Sequence, residues 1–348
     1  MTIAATEQPR PRVAILVLNW NGWRDTVECL ESLFRLDYPT FTVVVCDNGS
    51  TDGSVERILN WATGTPTAIH GISPELRHLS QPPVKKPLSV STYSRQQAES
   101  DELGQVASSL VLLQNGANLG FAGGNNVGLR FLYRQPFDYV WILNNDIVVA
   151  PDSLTRLLAA TEPFAGKAAV AAALYEYKAP SVIQAAGGGT YKAWQGHPRP
   201  VTTLPADTSS KRLDYLATGC MLAPLNEMRE VGTIDERYFL YGEDIDISLR
   251  LEHVGLTLVC ASDARVWHKG GAATGKGNPR IDYYIVRNHL HLARKHFPYM
   301  LPFAVAYTIY RCAMPKVVRG EWKRLGAVWR GFRDFKAGVY GPIAPGQR

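Results

Sequence analysis

The chain has 348 residues, of which 46% are hydrophobic and 20% charged, and its formal net charge is +6. This composition excludes a disordered protein and provides enough apolar residues for a complete α/β core. The five cysteines are odd in number and never form a CxxC pair. They therefore indicate neither a disulfide framework nor a zinc site, and a reducing compartment is expected.

Two segments bear on targeting and membranes. Residues 1–10 carry no apolar stretch typical of a secretory signal, and we predict a flexible tail there. The longest apolar stretch, 297–310, contains Pro298 and Pro302 and is shorter than the ~20 residues that cross a bilayer. We expect no membrane-spanning segment.

Four apolar runs predict strands, and each is followed by Asn or Asp. Val13–Leu18 leads to Asn19 and Phe41–Cys46 leads to Asp47, and helical spacing of apolar residues follows both runs. The later runs are 110–113 and 139–143. Continuous apolar strands that alternate with helices are typical of a parallel, doubly wound α/β sheet. Ligands of such sheets bind at the carboxyl ends of the strands.

The pattern is interrupted between residues 62 and 109, which are rich in Pro, Ser, Gln and Thr. We interpret this segment as a long insertion, either a mobile loop or partly disordered. Short strands and a Gly-rich turn follow a predicted helix at 153–160, and the chain is predicted to be helical from residue 281. The expected organisation is a tail (1–10), an α/β domain (11–280) and a C-terminal helical segment (281–348).

Asn144-Asn145-Asp146 follows the strand at 139–143. Asn and Asp are common in turns, so an Asx-turn is the simplest interpretation. At the end of a strand, however, the Asp146 carboxylate could also hold Mg²⁺ or Mn²⁺ against a diphosphate that supplies most of the other ligands.

A second acidic cluster begins a predicted helix. Glu243, Asp244 and Asp246 follow an aromatic segment, 238–241. Acidic residues favour the positive end of a helix dipole, and Asp246 is expected to pair with Arg250 one turn later. The Glu243-Asp244 pair beside an aromatic wall also suits a general base. His268, which follows an apolar run, needs further ligands nearby to bind a metal.

The order of these motifs resembles the family-2 glycosyltransferases of the GT-A fold, and in particular bacterial rhamnosyltransferases of cell-surface polysaccharide assembly. The motifs are LVLNWNG, VVVCDNGSTDGS, NGANLGFAGGNNVG, WILNNDIVV, TGCMLAP, ERYFLYGEDIDISLRLEHVG and WHKGG. The resemblance covers about Val13 to Pro298 and implies a mostly parallel, Rossmann-like sheet with helices on both faces.

The resemblance also implies roles for particular residues. Asn19 and Asp47 would hold the nucleotide base and ribose, and the loop under the donor would contain Asn118, Gly120, Gly123 and Asn125. The Asp-X-Asp motif of the family corresponds to Asn144-Asn145-Asp146, with Asp146 as the metal-binding carboxylate. Its first position is Asn here, which leaves that residue's metal or ribose contact open. Asp244 would be the catalytic base, Glu243 its companion, and His268 would lie near the metal and the diphosphate.

The implied reaction is in-line displacement at the anomeric carbon, with Asp244 removing the proton of the acceptor hydroxyl. A single carboxylate suffices, so the configuration would be inverted, and no second placed nucleophile is evident for retention. The donor would be a dTDP-, UDP- or GDP-sugar, with rhamnose suggested by the resemblance. The acceptor would be a saccharide or a lipid-linked saccharide.

Two other classes of protein were weighed. A dinucleotide-dependent oxidoreductase would have GxGxxG directly after the first strand, where this chain has Asn19-Trp20-Asn21-Gly22. A catalytically inactive sugar-binding or scaffold protein of the same fold remains the alternative, although the presence of Asp146, Asp244 and His268 favours an enzyme.

The C-terminal segment is basic and aromatic. Between Arg311 and Lys336, eight Lys and Arg residues stand against two acidic residues, a net charge of +6. No nucleic-acid reader motif accompanies them, so nucleic acid is not expected as a partner. We predict a peripheral interaction with anionic lipid at the cytoplasmic face of the cell membrane. The alternatives are that the aromatic side chains pack back on the catalytic domain or form a homodimer interface.

Overall fold

The computed structural model describes residues 10–67, 71–195, 197–204, 210–270 and 278–343. The predicted tail at 1–10 lies outside the described residues except for Arg10. Within these ranges, all five cysteines are free thiols, as the sequence predicted.

The fold is α/β, with a large mixed sheet and helices on both of its faces. Its strands follow the chain in the order β1 (Val13–Asn19), β2 (Phe41–Asp47), β3 (Val90–Ser94), β4 (Leu110–Gln114), β5 (Tyr139–Asn144), β6 (Ile147–Val149), β7 (Ala168–Glu176), β8 (Ala179–Ala185), β9 (Gly188–Lys192), β10 (His197–Pro200), β11 (Ser210–Arg212), β12 (Tyr215–Leu216), β13 (Cys220–Pro224) and β14 (Thr257–His268). The spatial order in the large sheet is β11-β14-β7-β13-β5-β1-β2-β4-β3, with β6 on β14 and β8 on β7. Strands β9, β10 and β12 form a separate small sheet.

Helices cover both faces of the sheet, and a further group of helices follows at the C-terminal end of the described chain. They are α1 (Trp23–Leu33), α2 (Ser54–Thr63), α3 (Arg95–Ala98), α4 (Gly120–Leu132), α5 (Ser153–Ala159), α6 (Leu225–Val231), α7 (Glu243–His253), α8 (Pro279–His296), α9 (Leu301–Thr308), α10 (Met314–Val318) and α11 (Trp322–Lys336). Val13, Ile15 and Val17 of β1 belong to the apolar layer that contains α1 and α2, whereas Ala14 and Leu16 face the layer that contains α4. Both faces of β1 are therefore buried, as its continuous apolar run predicted.

The parallel strands carry their polar ends to one edge of the sheet. Asn19 at the end of β1 lies opposite Asp47 at the end of β2, and Asn144 of β5 lies opposite Leu18. On the other side of β5, β13 runs antiparallel and β7 follows it. The pairing of β14 with β6 sets His268 opposite Ile147, one residue after Asp146. The predicted concentration of polar residues at the carboxyl edge is confirmed.

The interpretation of residues 62–109 as a loop without regular structure is wrong for part of the segment. Strand β3 pairs in parallel with β4 and forms the edge of the sheet. The buried Glu31 carboxylate also accepts hydrogen bonds from the Val84 backbone N–H and the Lys86 ammonium group, at 2.7 Å each. The low apolar content of the segment concealed these contacts because an edge strand and a buried ion pair need few apolar residues.

The C-terminal helices form a small apolar core of their own. Val286 and Leu290 of α8 pack with Val328, Phe332 and Phe335 of α11. Phe332 and Phe335, which the sequence placed on a lipid-facing surface, are therefore buried, and the alternative of packing back on the protein holds for them. None of the helices in the described ranges is long and apolar enough to cross a membrane.

Candidate functional site

Asn19 and Asp47 hold two strand ends together at the polar edge. The Asn19 side-chain amide donates to Asp47 Oδ1 at 2.8 Å, and its carbonyl oxygen accepts from the Thr26 hydroxyl at 2.8 Å. Asp47 Oδ2 accepts from the Ser50 N–H at 3.0 Å. Asn19 is fully buried and Asp47 is 3% exposed. In this structure both side chains bind other protein groups, so they shape the loops and leave few polar atoms free for a nucleotide.

The loop before α4 is held by Asn48, a residue that the sequence analysis did not single out. The Asn48 side-chain amide donates to Asn118 Oδ1 and to the Gly120 carbonyl, at 3.1 Å each. Gly120 has φ +76°, and a Cβ there would lie 2.8 Å from the Phe239 ring, so only glycine fits this approach. The aromatic segment before the acidic helix therefore touches the loop that was predicted to lie under the donor.

Gly123 and Asn125 lie inside α4 and pack within the protein. A Cβ at Gly123 would meet the Leu119 side chain at 2.9 Å. Asn125 is fully buried, donates to the Phe121 carbonyl at 3.0 Å, and has no partner for its side-chain oxygen within the described residues.

The three residues of the Asn144-Asn145-Asp146 motif make different contacts. Asn144 lies against Gly219, where a Cβ would approach its side-chain oxygen to 2.5 Å. The Asn145 amide donates to the Thr26 hydroxyl of α1 at 3.0 Å. Only the Asp146 carboxylate meets an ionisable partner, His268 Nε2, at 3.3 Å.

His268 has the orientation of a metal ligand. Its Nδ1 lies 2.8 Å from Gln184 Oε1 on β8, and because a carbonyl oxygen only accepts, Nδ1 carries the proton. In the neutral imidazole, Nε2 would then keep its lone pair for a cation shared with Asp146, as in metal sites whose histidine donates its other N–H to a fixed acceptor. The protonated ring would instead donate from Nε2 to Asp146. Burial lowers the pKa of His268, but the adjacent Asp146 and Glu176 carboxylates outweigh it and raise the pKa overall.

Asp146 and His268 fit a divalent cation as two of its ligands. No group of three or more His, Cys, Asp or Glu able to hold a metal occurs among the described residues. A metal here would therefore take its remaining ligands from a diphosphate and water, as the sequence analysis predicted for a site with one carboxylate.

Glu243 and Asp244 begin α7 after Gly242, which has φ +100°. Asp244 is partly exposed, and its Oδ1 accepts from the Thr218 N–H at 2.9 Å. Burial raises the pKa of Asp244, and the Thr218 hydrogen bond opposes that rise. Glu243 is 6% exposed and its Oε2 has no partner among the described residues. Burial and the Asp244 charge both raise the pKa of Glu243.

A short chain of contacts joins the two acidic motifs. The Asn144 N–H donates to the Gly219 carbonyl at 2.8 Å, and the preceding residue, Thr218, donates to Asp244. Because Gly219 lies against Asn144, the loop between β12 and β13 can approach both motifs. The structure thus brings Asp146, His268 and Asp244 to one region at the carboxyl edge of the sheet.

The segment before Asp244 is held by the C-terminal helix α8. Phe239 and Tyr241 have positive φ values, 63° and 65°, which are strained for residues with bulky side chains. The buried Asn288 amide lies 2.8 Å from each of three backbone carbonyl oxygens, those of Tyr238, Leu240 and Tyr241. Arg287 also donates to the Tyr238 carbonyl at 3.3 Å.

Asp246 adds a second connection between α7 and α8. The predicted ion pair with Arg250 is present at 2.9 Å, and Lys295 and His296 of α8 contact the same carboxylate at 2.5 and 2.7 Å. Asp246 is fully buried within this group. Asp246 therefore joins the two helices, whereas the sequence predicted only its pair with Arg250 within α7.

Residues 14–77 match the model of the family described as Glycosyl transferase family 2. In this segment the chain is similar to the family-2 glycosyltransferases. Among the curated proteins, the N-acetylglucosaminyl-diphospho-decaprenol L-rhamnosyltransferase of Mycobacterium tuberculosis is 27% identical over 188 residues, 47% of this chain and 60% of the relative. The chain thus matches less than two thirds of that relative's length.

Solved structures support the fold. GalNAc-T7 with UDP, GalNAc and Mn²⁺ aligns with a TM-score of 0.58 at 13% identity, covering 94% of this chain and 56% of that one. TarS 1–349 of S. aureus in complex with UDP-GlcNAc aligns with a TM-score of 0.52 at 14% identity, covering 94% and 81%. At such low identities these likenesses show the fold alone, and the GT-A fold predicted from the motifs is confirmed.

Proposed function

We propose that the chain is an inverting glycosyltransferase that moves a sugar from a nucleotide diphosphate sugar to a hydroxyl of a lipid-linked saccharide, in cell-surface polysaccharide synthesis. One observation carries this proposal: the Asp146-His268 pair lies at the carboxyl edge of a GT-A sheet, and the Thr218-Gly219 loop that bonds to Asn144 there also bonds to a partly exposed Asp244. The name of the mycobacterial relative supports a lipid-diphosphate acceptor and suggests L-rhamnose as the sugar.

Asp244 is the proposed catalytic base. Its position is fixed by the Thr218 N–H on one oxygen, which leaves the other oxygen for the acceptor hydroxyl. Burial raises the pKa of Asp244, and a base with a higher pKa accepts a proton more readily once it is ionised. Glu243 lies deeper, and its raised pKa favours the protonated carboxyl, so it adds no second charge beside Asp244 and makes no contact to the acceptor in this proposal.

Asp146 and His268 would hold a divalent cation, which when bound would neutralise charge on the departing diphosphate. An imidazole ligand suits a transition metal better than Mg²⁺, so we favour Mn²⁺. Gln184 fixes the His268 ring through Nδ1, so that Nε2 would be available to a cation. The Asn145 bond to Thr26 holds the turn before Asp146 against α1.

A transfer assay tests the proposal. Purified chain is incubated with dTDP-rhamnose, UDP- or GDP-sugars and Mn²⁺, with a polyprenyl diphosphate-linked saccharide as acceptor. We expect one donor to yield product of inverted anomeric configuration, and EDTA to abolish the reaction. Donor binding without transfer or hydrolysis under any of these conditions would instead support the inactive sugar-binding protein.

We also propose peripheral attachment to anionic membrane at its cytoplasmic face, through the surface of α9, α10 and α11. Phe303, Tyr310, Val318 and Trp322 are 60%, 68%, 80% and 66% exposed there. The net charge of this surface is smaller than the +6 counted between Arg311 and Lys336, because Lys316 and Arg324 both pair with Asp282 of α8. The remaining basic residues border the apolar side chains, which is the composition of an interfacial surface.

A further inference from the structure

A cavity of about 480 Å³ lies between β10 of the small sheet and helices α8, α9 and α10. Its lining is rich in cations, with Arg199 from β10, Arg311 from the segment between α9 and α10, and Lys316 from α10. None of these residues takes part in the site described above.

The charges of the cavity are not balanced by its own carboxylate. Asp282, which also lines the cavity, is engaged by Lys316 at 3.0 Å and by Arg324 at 2.7 Å. Within the described residues, the guanidinium groups of Arg199 and Arg311 have neither a hydrogen bond nor an ion pair. Two cations in one concave site therefore lack an anionic partner, and a phosphate or diphosphate would provide one.

The inner wall of the cavity is polar but uncharged. His197 Nδ1 lies 3.1 Å from His289 Nδ1, and His197 Nε2 lies 3.7 Å from Cys312 Sγ. Burial and the nearby charge of Arg311 lower the pKa of His197 to about 4. Burial and the neighbouring His197 also lower the pKa of His289. At neutral pH these rings add no charge, and the positive potential comes from the arginines at the mouth.

Apolar side chains border the mouth of the cavity. Tyr310 precedes Arg311 directly, and Met314 follows it by one turn, with exposures of 68% and 51%. Phe303, 60% exposed, lies one turn before Tyr307, which lines the cavity. A cationic cavity with an exposed apolar margin is complementary to an anionic head group attached to a long hydrocarbon chain.

Both walls of the cavity connect to the proposed base. On α8, Ile285 lines the cavity, while Asn288 holds the segment before Asp244. On the other wall, β10 pairs with β9, β9 pairs with β12, and the loop after β12 carries Thr218, which binds Asp244. A ligand held in the cavity thus sits on the same two elements that position the acceptor-activating carboxylate.

We propose that this cavity binds the diphosphate of a polyprenyl diphosphate-linked acceptor, with Arg199 and Arg311 on the phosphate oxygens and the lipid chain on Phe303, Tyr310 and Met314. The assignment of the ligand as an acceptor rests on the proposed glycosyltransferase function. The binding itself does not depend on any transfer step.

The test is binding of undecaprenyl diphosphate in neutral detergent micelles to the full chain, measured by isothermal titration. The variants are Arg199→Gln, Arg311→Gln and their combination. The matched control is Lys167→Gln. It removes an exposed charge just before the first residue of β7, at the end of that strand opposite to the candidate site. Loss of charge-assisted hydrogen bonds should weaken binding by about tenfold per variant, and the control should bind like wild type.

Two comparisons make the result decisive. Inorganic pyrophosphate and undecaprenol should each bind at least about tenfold more weakly than undecaprenyl diphosphate, because each offers half of the complementary surface. Equal binding of pyrophosphate would identify a free-phosphate site and overturn the proposal, as would binding that the double variant leaves unchanged. Arginine-dependent lipid binding in a chain that transfers no sugar would retain the cavity and refute the proposed function.

Discussion

The two halves of the candidate site are held in place by different means. At the proposed donor half, Asn19 and Asp47 bond to each other across neighbouring strand ends, and Asn145 bonds to Thr26 of α1. At the proposed acceptor half, the strained segment before Asp244 is fixed by Asn288, which lies on a helix 44 residues further along the chain than Asp244. The donor half is thus held by the sheet and α1, whereas the position of the proposed base depends on the C-terminal helices. Mutations should separate the two halves.

The largest effect is expected at the base. Asp244→Asn preserves size and can keep the contact with the Thr218 N–H, but the amide accepts no proton, so we expect transfer to fall by about 10²–10⁴-fold. Donor binding should persist because the donor half is intact. Turnover with saturating donor and acceptor measures the first effect, and nucleotide titration measures the second. The control is Asp263→Asn, an exposed site on β14. Wild-type turnover of the Asp244→Asn variant would exclude Asp244 as the base.

The second-largest effect is expected on metal affinity, with the proposed base left intact. Gln184→Leu removes the acceptor that fixes the His268 ring, and such supporting groups are typically worth about 10–100-fold in metal affinity. We expect Mn²⁺ binding in the presence of UDP to weaken by that factor, as measured by electron paramagnetic resonance. At saturating Mn²⁺ most of the turnover should return. Gln105→Leu, in an exposed loop, should behave like wild type.

A smaller loss is expected at the acceptor half when its support is removed. Asn288→Ala removes a donor from the carbonyls of Leu240 and Tyr241, while that of Tyr238 keeps the Arg287 donor, and we expect the free energy of unfolding to fall by about 1–3 kcal/mol. The turnover number should fall about tenfold because a base shifted from its position transfers protons poorly. Nucleotide affinity should not change. A parallel loss of nucleotide affinity would show that α8 also supports the donor half, and Asn226→Ala on α6 is the control.

Membrane attachment sharpens the comparison because it concerns the acceptor half alone. Replacing Phe303, Tyr310 and Trp322 by Ser should reduce co-sedimentation with phosphatidylglycerol vesicles by about tenfold, since each buried aromatic contributes apolar area. Wild type should pellet less with neutral phosphatidylcholine vesicles and at high salt. Equal pelleting with both lipids would refute electrostatic attachment, and no pelleting at low salt would also favour the homodimer interface.

The smallest effect concerns stability against pH. Burial and the Asp244 charge raise the pKa of Glu243, so the folded chain binds that proton more readily than the unfolded chain. The ionised carboxyl then destabilises the fold, and this cost disappears as the pH falls through the raised pKa. We expect Glu243→Gln to unfold at a temperature about 2–4 °C higher than wild type at pH 8, with little difference at pH 5. If calorimetry gave the variant and the wild type equal unfolding temperatures at pH 8 as well as at pH 5, the raised pKa of Glu243 would be contradicted.

The sequence predicts the donor half better than the acceptor half for a physical reason. Asn19, Asp47 and Asp146 end apolar runs, and the geometry of a parallel sheet alone brings such ends together. Gln184, Asn288 and Arg287 stand in a strand and a helix with no local feature to distinguish them from ordinary polar residues. Their importance comes from contacts between distant segments, and Phe332 and Phe335 were misplaced for the same reason. Strand β3 was not predicted because its sequence, that of an edge strand, shows little alternation of apolar and polar residues.

The Asn288 contacts have a consequence for engineering. Because the Asn288 side-chain nitrogen contacts backbone carbonyls of this segment and its oxygen accepts from Arg287, the side chains of 238–241 can vary without loss of that support, provided that the strained path of the segment is kept. A chimera that imports a C-terminal region to accept a different lipid must therefore import the helix and this segment together. A junction placed between them would pair a foreign helix with the native segment 238–241 and leave the proposed base without its support.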